Sequence, residues 1–263
     1  MVRPKFKRKI LVIMIDTHAH LFHCKRSVEE LVENANKAGL KAIINVGLDL
    51  ESAKICIETA EHYGTVFATA GLYPGKLDDD GKWDELKQLL AHPKVVALGE
   101  IGLDYFKVTT PKETQIRIFR TQLDIARELN MPVIIHNRHS DDDMKDVLKD
   151  YTDVKKVLHC FGSQPHFVDD TIDKNTYYSF TATVTYAKKG KTINSLKHIP
   201  LDHMMIETDC PYLTPETLRG EENQPAFVVE TARRIAEVKE ISFEEVVKKT
   251  TQNAISFFRL PLD

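Results

Sequence analysis

The chain has 263 residues, 42% of them hydrophobic, and a formal net charge of −3. That length suits one large domain of alternating strands and helices, which commonly takes about 250 residues. The charge balance argues against clamping duplex nucleic acid with a broad basic face but leaves room for a local phosphate site. No apolar stretch reaches the roughly 20 residues of a membrane-crossing helix. Cys24, Cys56, Cys160 and Cys210 show no C-x-x-C pairing, so a reducing, cytoplasmic setting is expected. Residues 3–9 are basic and read as a solvated tail.

In chain order, residues 10–15 form an apolar run that ends at Asp16, as a buried strand would. His18 and His20 follow. In extended chain, residues i and i+2 point the same way, so both imidazoles can reach one point, which suits a divalent metal. Polar loop residues are the plain alternative. Ser27 and Glu30 make a capping pair for a helix stopped by Gly39. Strand two falls at 42–46, a helix at 50–62, and strand three at 66–70. A helix through Trp83 and Leu90 leads to strand four at 95–98, which runs into Gly99 and Glu100. Thr110, Pro111 and Glu113 open the longest helix, with Ile116, Phe119, Leu123 and Ala126 as its buried stripe. Strands five to eight fall at 132–135, 154–158, 177–181 and 203–206. Helices from Pro225 and from Ser242 close the chain.

A strand about every 30 residues is the rhythm of a parallel sheet. Eight such units predict an α/β fold, a closed (β/α)8 TIM barrel, as a single domain over residues 1–263. A doubly wound dinucleotide-binding sheet is disfavoured, because no Gly-x-Gly-x-x-Gly follows the first strand.

The polar residues fall where such a barrel carries chemistry. His18 and His20 follow strand one, Glu100 strand four, His136 strand five, His159 strand six and Asp209 strand eight. Strand C-termini converge on one face of a barrel, where active sites lie. Each residue alone could be a satisfied core histidine or a turn cap. Together they suit two divalent ions bridged by a carboxylate, which can activate water and clamp phosphate or carbonyl oxygens. His23, His62, His92, His139, His166, His198 and His203 lack that placement and read as surface or packing residues. Cys160 and Cys210 each follow a candidate ligand and, in extended chain, would point away from it into packing.

These segments resemble the TatD family of metal-dependent deoxyribonucleases, among the amidohydrolase-like barrels. The matches are Asp16-Thr17-His18-Ala19-His20-Leu21, Gly99-Glu100-Ile101-Gly102-Leu103-Asp104-Tyr105, Pro132 through Arg138, His159-Cys160-Phe161-Gly162-Ser163, and Glu207 through Pro215. Arg219-Gly220, Asn223 and Pro225 match more weakly. The resemblance implies that His18, His20 and Asp209 bind one ion, that Glu100 bridges, and that His136 and His159 bind the second. It also implies that Asp209 takes a proton from water. Arg138 is the expected phosphate clamp, because guanidinium meets phosphate oxygens in a fork; a surface salt bridge is its alternative.

Two departures stand out. The family usually carries Gly-x-His-Pro after strand three, and here the run is Gly71-Leu72-Tyr73-Pro74. Tyr73 keeps a donor and a flat face for substrate contact but is a far weaker base. After Arg219 the family is often basic, whereas Glu221 and Glu222 stand here, which lowers positive potential. The implied function is cleavage of DNA phosphodiesters, in single strands or at strand ends, with two divalent ions (Mg, Mn or Zn) and no evident membrane or protein partner. A metal-dependent ester or amide hydrolase, such as an aminoacyl-tRNA deacylase, uses the same site chemistry and stays open. So does a non-catalytic binding protein that keeps the barrel.

Overall fold

Eight parallel strands in consecutive order make up the sheet in the computed structural model, which describes residues 13–262. The basic stretch 3–9 and residues 10–12 of the first apolar run lie outside them. The strands are β1 (Met14–Ala19), β2 (Leu40–Asn45), β3 (Val66–Ala70), β4 (Val95–Asp104), β5 (Val133–Arg138), β6 (Lys156–Leu158), β7 (Thr176–Phe180) and β8 (Met204–Ile206). β8 returns to β1 through a parallel bridge between Ala19 and Cys210. There the Asp209 N–H donates to the His18 carbonyl at 2.9 Å and the His20 N–H to the Cys210 carbonyl at 2.8 Å. The expected (β/α)8 barrel is thus present, and its seam runs through the candidate ligands.

The helices are α1 (Val28–Ala38), α2 (Leu50–His62), α3 (Trp83–Leu90), α4 (Lys112–Glu128), α5 (Asp141–Leu148), α6 (Pro165–Thr171), α7 (Thr183–Tyr186), α8 (Lys191–His198), α9 (Val228–Lys239) and α10 (Phe243–Phe258). The Ser27 and Ser242 side chains accept N–H bonds from Glu30 and Glu245 and start α1 and α10 as expected. Gly39, at φ +94, ends α1. No helix among the described residues is long and apolar enough to cross a membrane.

Two apolar layers hold the barrel. Inward residues Ile15, Ile44, Phe67, Ala97, Ile134, Val157 and Met205 pack together with Phe257 and Phe258 from the end of α10. Outward residues such as Ile43, Leu98, Ile135 and Leu158 pack against the helices. Each large side chain buried this way contributes about 1.5–3 kcal/mol.

Several boundaries differ from the sequence reading. β4 does not stop at Leu98 but continues to Asp104. Its pairing with β5 shifts register between Leu98 and Ile101. At that shift the Glu100 N–H leaves the ladder and donates to the Gly47 carbonyl at 2.9 Å. Gly102 makes the resumed pairing possible: its φ is +138, and a Cβ there would stand 2.0 Å from the His136 carbonyl oxygen. α4 starts one residue late, because Pro111 is extended (ψ 143) and is itself the cap. Its buried face runs through Gln115, Ile118, Phe119, Gln122, Leu123 and Ala126, so Ile116 flanks the face. The two buried glutamines there bond main-chain groups of Asp104 and Leu72, which fastens the ends of β4 and β3 to α4. The sequence reading named no helices between 136 and 203, where α5 to α8 stand as four short ones.

Candidate metal centre

His18, His20, Glu100, His136, His159 and Asp209 all meet at the C-terminal end of the barrel. His18 lies within β1 and His20 follows it directly; His136 lies within β5, and His159 and Asp209 follow β6 and β8. Glu100 lies inside β4, and the register shift is what carries it to the centre.

The two oxygens of Glu100 face two different groups of donors. Oε2 lies 3.4 Å from His18 Nε2 and 3.7 Å from His20 Nε2. Those nitrogens are 3.2 Å apart, and Asp209 Oδ1 is 3.5 Å from His20 Nε2. Oε1 lies 2.7 Å from His136 Nδ1 and 2.9 Å from His159 Nε2, which are 3.1 Å from each other. Donors at about 2.0–2.2 Å from a common ion stand about 3–3.5 Å from one another. His18 stacks on His159 with ring centroids 4.0 Å apart, which joins the two groups.

The outer nitrogens of His20 and His136 are hydrogen-bonded, so that the inner ones keep their lone pairs, while His18 Nδ1 is buried with no partner among the described residues. His20 Nδ1 donates to the Val46 carbonyl at 2.9 Å. His136 Nε2 meets Asp104 Oδ2 at 3.2 Å, and His159 Nδ1 faces Glu207 Oε1 at 3.5 Å. Such backing fixes the tautomer and orientation of metal-binding imidazoles. Asp16 holds the seam, accepting from the N–H and hydroxyl of Thr208 at 2.9 and 2.6 Å and from the His18 N–H at 3.3 Å. Asp16, Asp104 and Glu207 belong to recognised motifs, but the sequence reading gave them no role. The side-chain partners that tie them to the centre, Thr208, His136 and His159, lie 32 to 192 positions away, beyond any local pattern.

The electrostatics fit a divalent cation. Glu100, Asp104 and Glu207 are buried, and Asp209 is 15% exposed, while burial pushes the Asp16 carboxyl up to about 8 and keeps it out of this charge count. Among the described residues none of the four pairs with a lysine or arginine. Buried carboxylates need a paired charge or a metal. Burial pushes Glu100 up, but the imidazoles of His159, His136 and His18 outweigh it and hold the carboxyl well below the usual range. Burial raises Asp209 too, and the His20 hydrogen bond with the nearby imidazoles brings it below its ordinary value. Both therefore stand ionised, as ligand carboxylates must. The donor set fits the divalent ions expected from the sequence.

The centre opens into a cavity of about 1050 Å³ whose lining includes Tyr73, Arg138, Cys160 and Asp209. Arg138 enters no ion pair among the described residues, and its guanidinium lies 4.5 Å from the Phe106 ring. Tyr73 packs edge-on against His136 and donates its hydroxyl to Asp104 Oδ2 at 3.0 Å. Cys210 is fully buried, as expected. Cys160 is not turned away into packing: its φ of +46 breaks the extended geometry, and it lines the cavity. Neither cysteine belongs to the donor groups.

The family described as TatD related DNase matches residues 15–259. A metal-dependent hydrolase of Bacillus subtilis, YabD, is 38% identical over 256 residues, covering 94% of this chain and 100% of the relative. A protein of Citrobacter rodentium named 3'-5' ssDNA/RNA exonuclease TatD is 30% identical, covering 89% of this chain and 92% of its own length. Among solved structures, a TatD homologue of Escherichia coli K12 superposes with a TM-score of 0.89 at 27% identity, covering 96% of this chain and 100% of that one.

Proposed function

Because the chain belongs to the TatD family of metal-dependent hydrolases, we propose that it is a nuclease cleaving DNA phosphodiesters, in single strands or at strand ends. The observation that carries this reading is Glu100, whose two oxygens face two separate donor groups. His18, His20 and Asp209 would hold one divalent ion, His136 and His159 a second, and Glu100 would bridge them. Bound there, such a pair supplies Lewis acidity, which acidifies water and neutralises charge on phosphate oxygens.

The chain's own groups supply the rest. Asp209 is ionised and reaches the cavity, so it can take the proton of the attacking water. Arg138 faces the same cavity and enters no ion pair among the described residues, so its fork can orient the phosphate. Asp104 and Glu207 hold His136 and His159 in place. Four imidazoles with two carboxylates favour Mn²⁺ or Zn²⁺ over Mg²⁺, which prefers more oxygen. All four cysteines are free thiols, which supports a reducing, cytoplasmic setting.

The test compares single-stranded DNA, duplex DNA and aminoacyl-tRNA as substrates with Mg²⁺, Mn²⁺ and Zn²⁺ in turn. Preferential cutting of single-stranded DNA is the expected result, and turnover of the aminoacyl ester alone would move the protein to the acyl hydrolases. Glu100→Ala should lower bound metal, measured by elemental analysis, and abolish turnover while the barrel's circular dichroism persists. Full metal content and activity in that variant would remove the bridged pair. Asp209→Asn should slow turnover at least about a hundredfold at saturating metal, the scale of losing a general base.

A further inference from the structure

The exposed Phe, Tyr and Trp side chains among the described residues are Phe106, Tyr186 and Tyr212, and all three stand at the catalytic end of the barrel. They follow β4, β7 and β8 respectively, and Leu213 is exposed beside Tyr212. Single exposed apolar residues are ordinary, but a group gathered at one rim marks a contact surface. Two of the rings carry a guanidinium: Arg138 lies 4.5 Å from Phe106 and Arg219 lies 5.6 Å from Tyr186.

Tyr186 and Arg219 line a second cavity of about 490 Å³ with Thr183, Leu213, Thr214 and Gly220. Thr183 and Leu213 also line the catalytic cavity, so the two spaces adjoin. The second one is built in advance. The Tyr186 hydroxyl donates to the Thr214 carbonyl at 2.9 Å, the Glu216 N–H to Thr185 Oγ1 at 2.9 Å, and Thr214 Oγ1 to the Glu221 carbonyl at 2.8 Å. These bonds tie the segment after β7 to the loop after β8. Of the two acidic residues expected to weaken positive potential here, Glu222 accepts from the Lys25 N–H and pairs with Arg26 at 3.6 Å, while Glu221 stays beside Arg219. Arg219 enters no ion pair among the described residues.

We propose that this second cavity is a nucleotide subsite, in which Tyr186 stacks on the base and Arg219 holds the phosphate of a nucleotide next to the one being cut. The inference rests on the nuclease reading above and deepens it. A ring face takes any unpaired base, and an uncompensated guanidinium takes the phosphate that accompanies it. A strand then runs from Phe106 and Arg138, past the metal ligands, to Tyr186 and Arg219. A base paired in a duplex offers no face to either ring, so this rim selects single strands.

The test uses the metal-loaded enzyme with two substrates: a thymidine tetranucleotide and thymidine 5'-(4-nitrophenyl phosphate), which carries one nucleotide. In Tyr186→Ala and Arg219→Ala, the ratio of kcat/KM for the tetranucleotide to that for the small ester should fall about tenfold, mainly through KM. Fluorescence anisotropy with a labelled oligothymidylate should show a matching rise in Kd, and Arg219→Ala should flatten the salt dependence by about one ion. Tyr186→Phe keeps the ring but gives up the bond to Thr214, so it should lose clearly less of the ratio than Tyr186→Ala; a loss as large as in Tyr186→Ala would overturn stacking. Unchanged ratios and unchanged Kd in both alanine variants would overturn the subsite while leaving the nuclease reading intact. Failure of the wild-type enzyme to cut either substrate would overturn the nuclease reading, and the anisotropy comparison would then decide the subsite alone.

Discussion

Tyr73 stands where the family resemblance predicts a histidine, and its hydroxyl is committed. It donates to Asp104 Oδ2 at 3.0 Å, and the same oxygen meets His136 Nε2 at 3.2 Å. Asp104 Oδ1 accepts from the N–H groups of Phe106 and Lys107 at 2.8 and 2.9 Å, so the carboxylate is fixed on both sides. Burial pushes the phenol's pKa up, and the charges of Glu100 and Asp104 push it further. Tyr73 therefore remains a neutral donor across the working pH range. Substrate contact is the role the sequence predicts for it; the hydrogen bond adds a second, support of His136. Tyr73→Phe keeps the ring and removes the donor, so metal affinity should fall about tenfold, in line with other losses behind metal-bound histidines. A competition titration with a metal-sensitive dye measures this, and wild-type affinity in the variant would leave Tyr73 as a packing ring.

At the level of the element, β6 carries a lysine that the sequence reading passed over. Lys156 is 1% exposed and lies at the strand's N-terminal end, far from the chemistry. Its Nζ donates to the carbonyls of Tyr151 and Val154 at 3.2 and 3.0 Å and to Asp173 Oδ2 at 3.3 Å. A buried, fully bonded ammonium at the bottom of a barrel serves stability and not chemistry. Lys156→Met fills similar space but leaves those oxygens without a donor, and unfolding free energy should drop by about 3 kcal/mol, read from the urea midpoint. A change under about 1 kcal/mol would mean that water replaces the ammonium. Burial lowers the Lys156 pKa, with the Asp173 charge opposing. The unfolded chain then binds a proton that the folded one has released. Wild-type stability should therefore rise with pH between the lowered folded value and the ordinary 10.5, and Lys156→Met should lack that rise.

Over the whole molecule, the bond between first and last strands and the candidate metal ligands coincide. The Ala19–Cys210 bridge and the contacts of Asp16 with Thr208 close the barrel beside His18, His20 and Asp209. On the proposed reading, an ion shared by β1, β4 and the β8 loop would therefore stabilise closure as well as supply chemistry. Ligand linkage at a thousandfold excess over Kd is worth about 4 kcal/mol, which for a chain of this size shifts Tm on the order of 10 °C. Scanning calorimetry with and without a chelator should show that shift in the wild type, and Glu100→Ala should show little of it. Equal melting temperatures in both wild-type scans would separate metal binding from barrel closure.

The βα rhythm, the α2 span at Leu50–His62, the β3 span at Val66–Ala70 and the six candidate ligands were legible in the sequence alone. Apolar periodicity and capping residues act within a few positions, so strands and helices declare themselves locally. A polar residue at the end of an apolar run stands out for the same reason. Tertiary structure decided what depends on how strands register against each other. It placed Glu100 inside β4 at a register shift, gave Asp104 to His136 and Glu207 to His159, and turned Cys160 toward the cavity. It also resolved the short helices α5 to α8, which take their stability from the sheet they pack on rather than from their own few turns. Each of these depends on closing the sheet into a barrel, which brings together groups that are distant in the chain, and no local pattern encodes that distance.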